Sequence, residues 1–280
     1  MSVLVATLAS VAFGAGDFLG GLAARRIDSR QVVAIAMITG LVPFGAVVAI
    51  YESVSLDRAS APWHLLAGIG FAAGVSLLYR ALSEGRMLQV APITAVIAIA
   101  FPAIVDLMTG SAGGAHLIVG LIAATLSSVL LGSSSGTEPN RSKAGAATVL
   151  MALTAGLGFA FFYIGLHRVN AGGEGVWAVL LIRLIALAVT AIPALTVPYK
   201  ALDVPGLAIA AGAGIFDGAA NLLLMRAFAT GGLAETAAIA SLYPVTTIVL
   251  AIAILRERPS ILQGLGLLLA VPAIFLLKTP

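Results

Sequence analysis

The sequence contains no cysteine and few charged residues. The absence of cysteine excludes disulfides, thiolate metal ligands and a cysteine nucleophile. Charged residues make up 10% of the 280, whereas a soluble domain averages about 25%. Twelve acidic and fifteen basic residues cannot cover a soluble globule of this size. The basic residues are scattered singly or in pairs, so no nucleic-acid-binding patch is indicated.

Apolar residues are abundant instead, at 60% of the chain. A membrane-spanning helix needs about 20 apolar residues, and the spacing of polar residues predicts ten such helices in an all-α integral membrane protein. The first apolar stretch has no Lys or Arg before Arg25, so it is interpreted as a permanent helix and not a signal peptide. The predicted spans are 3–24, 31–51, 63–82, 89–108, 115–132, 145–166, 175–198, 206–229, 235–255 and 261–277.

The chain is predicted to consist of two similar halves, residues 1–132 and 145–280, joined by a polar linker over 133–144. The stretch LLYRALSE at 77–84 aligns with LLMRAFAT at 223–230, 146 positions later. An odd number of helices per half makes the second copy enter the membrane from the opposite side. Inverted five-helix repeats of this kind are typical of secondary transporters.

Residues 226–277, near the end of the chain, resemble the EamA domain of the drug/metabolite transporter superfamily. In such domains an A-x-x-x-G turn precedes a helix with S-L-Y-P, an E-R loop and a Q-x-x-G helix start. The matching residues are Ala227, Gly231, Ser241, Leu242, Tyr243, Pro244, Glu257, Arg258, Ser260, Gln263 and Gly266. In the first half Ala81, Gly85, Ala91 and Pro92 remain.

The resemblance implies a carrier of the inner (plasma) membrane that moves small metabolites by alternating access, outward and coupled to protons. Amino acids or related solutes are the first expected substrates, and drugs or other organic solutes are the alternative. No cofactor, metal or nucleic acid is expected, and the carrier would be a monomer or homodimer. Loop charges favour both termini outside the cell, whereas the resemblance implies both in the cytoplasm.

Ionisable side chains inside the apolar spans are candidates for function, because each costs about 2.5–3.5 kcal/mol in hydrocarbon. Asp217 and Asn221 lie four residues apart on one helix face. Their partners in the first half are Phe71 and Val75, so the repeat does not explain their polarity. Both are predicted to bind solute or couple transport; the alternative is a carboxylate that a neighbouring helix stabilises. Asp106, near a helix end, is expected at the membrane interface.

Asp17 has two interpretations. Its glycine neighbours suit a helix-packing seam with a hydrogen-bonded aspartate; alternatively, the carboxylate exchanges a proton during transport. Arg183 would neutralise Asp17 or Asp217, or bind a solute carboxylate.

Four further groups are candidates for a central cavity. Tyr243 is predicted to line it, and Pro92 and Pro244 are predicted to break their helices there. The aromatic run Phe161, Phe162 and Tyr163 would line the cavity or anchor a helix at the membrane interface.

Catalytic alternatives find little support. The sequence GAGD at 14–17 matches the GxGD motif of intramembrane aspartyl proteases, but no second aspartate lies upstream to share its proton. The glycines do not follow a strand, as a dinucleotide fingerprint requires. The three histidines are isolated, so no metal site is predicted. The protein is therefore not expected to be an enzyme.

Overall fold

A computed structural model describes residues 2–48, 57–85, 87–109, 114–132, 145–171, 175–197, 203–256 and 260–276. These residues form α-helices and one short 3-10 turn, and no strand occurs among them. The helices are α1 (Ser2–Ala24), α2 (Ser29–Thr39), α3 (Val42–Val48), α4 (Ala61–Glu84), α5 (Met87–Thr109), α6 (Gly114–Gly132), α7 (Ala146–Ala171), α8 (Gly175–Leu195), α9 (Val204–Phe228), α10 (Leu233–Ala240), α11 (Tyr243–Leu255) and α12 (Ile261–Leu276).

The helices have the length and composition of a multi-pass membrane protein. Within the described ranges, six segments are long and apolar enough to cross a bilayer: Ser2–Ala24, Arg58–Glu84, Ala146–Ala171, Gly175–Leu195, Val204–Phe228 and Leu233–Leu255. Shorter apolar helices cover Ser29–Gly45, Val90–Asp106, Ile118–Leu130 and Ile261–Ala273. The all-helical membrane class is thus confirmed. The linker predicted at 133–144 lies outside the described residues.

The span predicted as one helix over 235–255 is two helices, α10 and α11. Pro244 explains the break, because it has no N–H to donate to the carbonyl of residue 240 and its ring clashes with that turn. The backbone turns at residues 241 and 242, where the Leu242 N–H bonds the Ile239 carbonyl at 3.1 Å. The helix is thus interrupted at the proline for which the sequence predicts a break.

The second predicted span, 31–51, is broken in the same manner. Helix α2 ends at Thr39 and α3 begins at Val42, one residue before Pro43. The Leu41 N–H bonds the Ile38 carbonyl at 3.1 Å, which closes the turn. Residues 49–51 of this span lie outside the described part of the chain. Each broken span thus has a proline just inside its second helix.

Two helix pairs form the centre of the fold: α1 packs along α9, and α4 packs along α7. Both seams depend on glycine. A Cβ on Gly16 would lie 3.2 Å from the Ala213 carbonyl oxygen, and one on Gly158 would lie 2.6 Å from the Gly70 carbonyl oxygen. Small residues let membrane helices approach this closely. The closely spaced glycines of these helices therefore serve helix packing.

Replacing Gly158 with alanine is expected to destabilise the protein by about 1–3 kcal/mol, because the new methyl group meets the backbone of α4. Gly212→Ala is the matched control, since a Cβ there has only Leu19 Cδ1 nearby, at 3.5 Å. The measurement is thermal unfolding of both variants in one detergent. Equal stability of the two variants would contradict the role of Gly158 in the packing of α7 on α4.

Candidate functional site

A narrow cavity lies where α1, α4, α7 and α9 meet the first turn of α11. The space open to the centre of a water molecule is about 10 Å³, roughly what one water needs. The lining residues are Phe13, Asp17, Phe71, Val75, Phe159, Phe162, Tyr163, Asp217 and Tyr243.

Asp17 contributes its carboxylate to the cavity from the middle of α1. Glycines place it there: Gly16 lets α9 approach, and Gly20 makes room for the Tyr79 ring. Asp17 is partly buried. Within the described part of the chain, no hydrogen bond or ion pair engages this carboxylate.

Asp217 is the carboxylate that Arg183 neutralises. Arg183 Nη1 on α8 donates to Asp217 Oδ2 on α9 at 2.7 Å. The arginine side chain is 1% exposed, and the aspartate side chain is 12% exposed. Of the pairings predicted for Arg183, the structure thus contains the one with Asp217 and not the one with Asp17.

The Arg183 guanidinium packs against two aromatic rings, next to the cavity but outside its lining. Its guanidinium carbon lies 5.6 Å from the centre of the Phe44 ring and 5.5 Å from that of Phe71. Such stacking on ring faces stabilises a cation away from water. Gly40, at the break between α2 and α3, leaves the space that the guanidinium fills. Arg183 is not among the side chains that line the cavity.

Asn221 and Tyr243 have different positions relative to the cavity. Asn221 Nδ2 donates to the Asp217 backbone carbonyl at 2.7 Å, one turn away, and Asn221 does not line the cavity. Tyr243 lines it, and its hydroxyl donates to the Ala91 carbonyl of α5 at 3.2 Å. Tyr243 thus connects α11 to α5 beside the cavity.

The two prolines predicted to break helices behave differently. Pro244 is the second residue of α11, directly after the break. Pro92 lies inside α5, which continues on both sides of it, so the predicted helix break at Pro92 is wrong. One missing backbone hydrogen bond does not end a membrane helix when neighbouring helices satisfy the freed carbonyl. Neither proline lines the cavity.

Aromatic rings cover most of the cavity wall. Phe162 and Tyr163 line it, whereas Phe161 packs edge-on against Phe101 with ring centres 5.5 Å apart. Sequence reasoning missed Phe13 and Phe159. A signal existed for Phe13, which precedes Asp17 by four residues and so shares its helix face.

Asp106, predicted to lie at the membrane interface, is 8% exposed and lies in the last turn of α5. Its Oδ2 accepts the Ala234 N–H at 2.7 Å, in the first turn of α10. A carboxylate there satisfies a backbone donor that the helix leaves free. Asp106 therefore connects α5 to the first turn of α10.

The site has no recognisable metal-binding chemistry within the described ranges, where no group of three or more His, Asp or Glu side chains is arranged to hold an ion. The fold and the cavity together define a multi-pass helical membrane protein with a narrow, partly acidic cavity at its centre. Buried ionisable groups in such a protein mark a solute or ion path.

Residues 146–279, the second half of the chain, match the EamA-like transporter family, which is part of the drug/metabolite transporter superfamily. Proteins of that family are membrane transporters of small molecules and are generally not enzymes. A comparison with curated proteins gives no significant match.

Among solved structures, 29 chains match significantly. One of them, described only as the crystal structure of a protein, has a TM-score of 0.70 and is 17% identical. The match covers 96% of this chain and 95% of that one, so the shared fold extends over both halves.

Proposed function

We propose that this protein is a proton-coupled secondary transporter that exports a small solute across the inner (plasma) membrane by alternating access. The observation that carries the proposal is Asp17, a carboxylate without a hydrogen-bond or ion-pair partner among the described residues, which lines a narrow cavity between the long apolar helices. A carboxylate in that position is free to take up and release a proton or to bind a charged solute.

The proposed architecture is two inverted five-helix repeats, residues 1–132 and 145–280, joined by the linker 133–144. The helix contacts support it, because exchanging the two halves converts the α1–α9 pair into the α7–α4 pair. Two glycine contacts, between α1 and α11 and between α7 and α5, are related by the same exchange of halves. Gly14 packs against Tyr243 and Thr246, and Gly156 packs against Thr94 and Ile97. Such repeats place the solute site at their interface.

Alternating access requires the cavity to open, since it has room for about one water in this conformation. The two broken spans are suitable moving parts, because residues at the ends of helices can absorb the changes in backbone torsion angles that a hinge requires. The break between α2 and α3 lies at Gly40, beside Arg183. The break between α10 and α11 lies next to Tyr243, which lines the cavity.

The protease alternative is less well supported than transport. Aspartyl proteolysis needs two carboxyl groups that share one proton. Asp17 and Asp217 line the same cavity, but no hydrogen bond joins them among the described contacts. Asp217 instead holds the Arg183 guanidinium at 2.7 Å, and an ion-paired carboxylate does not share a proton with a neighbour.

Reconstitution tests the transport proposal. The full-length protein in liposomes with an imposed proton gradient is expected to accumulate at least one solute from a panel of amino acids, organic amines and drugs. Dissipating the gradient with a protonophore should abolish the accumulation. Absence of gradient-dependent flux for every solute in the panel would contradict the proposal. Crosslinking in the same membranes distinguishes a monomer from a homodimer.

A further inference from the structure

We infer that a groove between α2, α4 and α8 binds one acyl chain of an anionic phospholipid, whose phosphate is held by Arg30. The inference goes beyond the proposed transport function and does not depend on it. The space in this groove that is open to the centre of a water molecule is about 190 Å³, against about 10 Å³ in the central cavity. The groove therefore has room for a chain of carbon atoms, where the central cavity has room for about one water.

The groove is open to the bilayer along its length. Its floor is buried, since the lining residues Val33 of α2 and Ala72 of α4 are each 1% exposed. Its rims are exposed, with Ile69 of α4 at 52% and Val189 of α8 at 45%. The lining of α4 extends from Ile69 to Ser76, and seven residues of helix rise about 10 Å. A flexible hydrocarbon chain can enter such a groove sideways from the membrane.

The lining of the groove matches an acyl chain. Six of the nine lining residues are Val, Ile, Ala or Pro, and none is acidic. The small side chains of Ala72 and Ala73 leave the space on α4 that larger side chains would fill. An acyl chain gains no hydrophobic free energy by leaving the bilayer for this groove, because lipid tails are equally apolar. Any preference among lipids must therefore come from the headgroup.

Arg30 lies at the membrane-surface end of the groove. It is the second residue of α2, and its Nη1 donates at 3.0 Å to Oγ1 of Thr196, which directly follows α8. Asp28 holds the same guanidinium, accepting from Nε at 3.1 Å and from Nη2 at 2.9 Å. These bonds use three of the five N–H donors of the side chain. Within the described part of the chain the other two have no acceptor, and a phosphate accepts both.

The charges around Arg30 favour an anionic headgroup. The segment 25–30 contains three arginines and one aspartate. Asp203 adds one carboxylate, 3.8 Å from Arg26, so these residues together carry one net positive charge. Basic pockets between membrane helices bind the headgroups of anionic lipids. Phosphatidylglycerol, with one net negative charge, complements this site, whereas phosphatidylcholine has no net charge.

Ser76 provides a second polar contact for the lipid. Its side chain lines the groove, and among the described residues its hydroxyl has no hydrogen-bond partner. A phospholipid has ester carbonyls between the phosphate and the acyl chains. A hydroxyl donates readily to such a carbonyl. The order of groups along the groove, a cation at the surface and then a hydroxyl and apolar side chains, thus follows the order of groups in a phospholipid.

Native mass spectrometry of the full-length protein in detergent tests the inference by titration with phosphatidylglycerol or phosphatidylcholine of identical acyl chains. Phosphatidylglycerol is expected to bind about tenfold more tightly, the effect of a charge-assisted hydrogen bond. Arg30→Gln is expected to weaken its binding about tenfold and to remove the preference. Arg80→Gln is the matched control, because it removes an exposed arginine that pairs with Glu84 outside the groove, and it is expected to leave binding unchanged.

A second pair of variants tests the position of the acyl chain. Ala73→Leu fills the groove from α4 and is expected to weaken binding of both lipids at least about tenfold, because the chain loses its space. Ala188→Leu makes the same change at an exposed position of α8 outside the lining and is expected to leave binding unchanged. Thermal unfolding without added lipid shows whether each variant is folded.

Three outcomes would overturn the inference. The first is equal binding of the two lipids by the parent, or unchanged phosphatidylglycerol binding in folded Arg30→Gln. The second is displacement of the lipid by inorganic phosphate together with unchanged binding in Ala73→Leu, which would leave only a surface anion site. The third is a dimer that Ala73→Leu dissociates, which would place a second copy of the chain in the groove. The flux of solute in liposomes is measured separately, so the transport proposal stands or falls by its own test.

Discussion

Replacing Arg183 with methionine is expected to destabilise the protein by about 3–5 kcal/mol. The reason is the Asp217 carboxylate, which loses its partner at 2.7 Å while it stays inside the protein. Breaking a buried ion pair from one side leaves an uncompensated charge, and this costs more than the pair itself contributes. The measurement is the free energy of unfolding in detergent, followed by circular dichroism.

A double variant and a surface variant make this prediction specific. Adding Asp217→Asn to Arg183→Met removes the stranded charge, so the double variant is expected to be more stable than Arg183→Met alone. Arg80→Met breaks an exposed pair with Glu84, whose side chains are 63% and 45% exposed, and is expected to cost less than about 1 kcal/mol. A folded Arg183→Met variant as stable as the parent would show that Asp217 finds another partner.

The membrane class of the fold was predictable because it depends on composition alone. Few charges and long apolar runs have no stable arrangement in water, whatever the details of packing. The helix breaks were not predictable in the same way. Pro92 and Pro244 are equivalent in local chemistry, yet only the second accompanies a break. The difference depends on which neighbouring groups satisfy the freed carbonyls, and a sequence does not specify them.

The members of the site were more predictable than their contacts. Asp17, Asp217 and Tyr243 were each chosen from the sequence, and all three line one cavity. The choice of Asp217 over Asp17 as the partner of Arg183 depends on how α8 lies against α9, a long-range contact that no local pattern contains. Phe71 was noted only as the apolar counterpart of Asp217, although it stacks on Arg183.

Asp17→Asn is expected to abolish proton-driven accumulation of solute in liposomes, with the signal falling at least about tenfold to the level of empty vesicles. Asparagine keeps the size of the side chain but cannot bind and release a proton in the physiological range. Asp17 is the carboxylate of the cavity that no arginine engages, so no other lining group takes over this role. Asp57→Asn, at an exposed helix cap, is expected to accumulate solute like the parent.

A second flux measurement distinguishes lost coupling from a lost carrier. Downhill flux without a proton gradient is expected to persist in Asp17→Asn at high solute concentration, because opening and closing of the cavity involve the helices and not this charge. Coupling and movement are then separable. Unchanged proton-driven accumulation in the variant would remove Asp17 from the coupling mechanism. The proton would then have to act through Asp217, which would have to release Arg183 in each transport cycle.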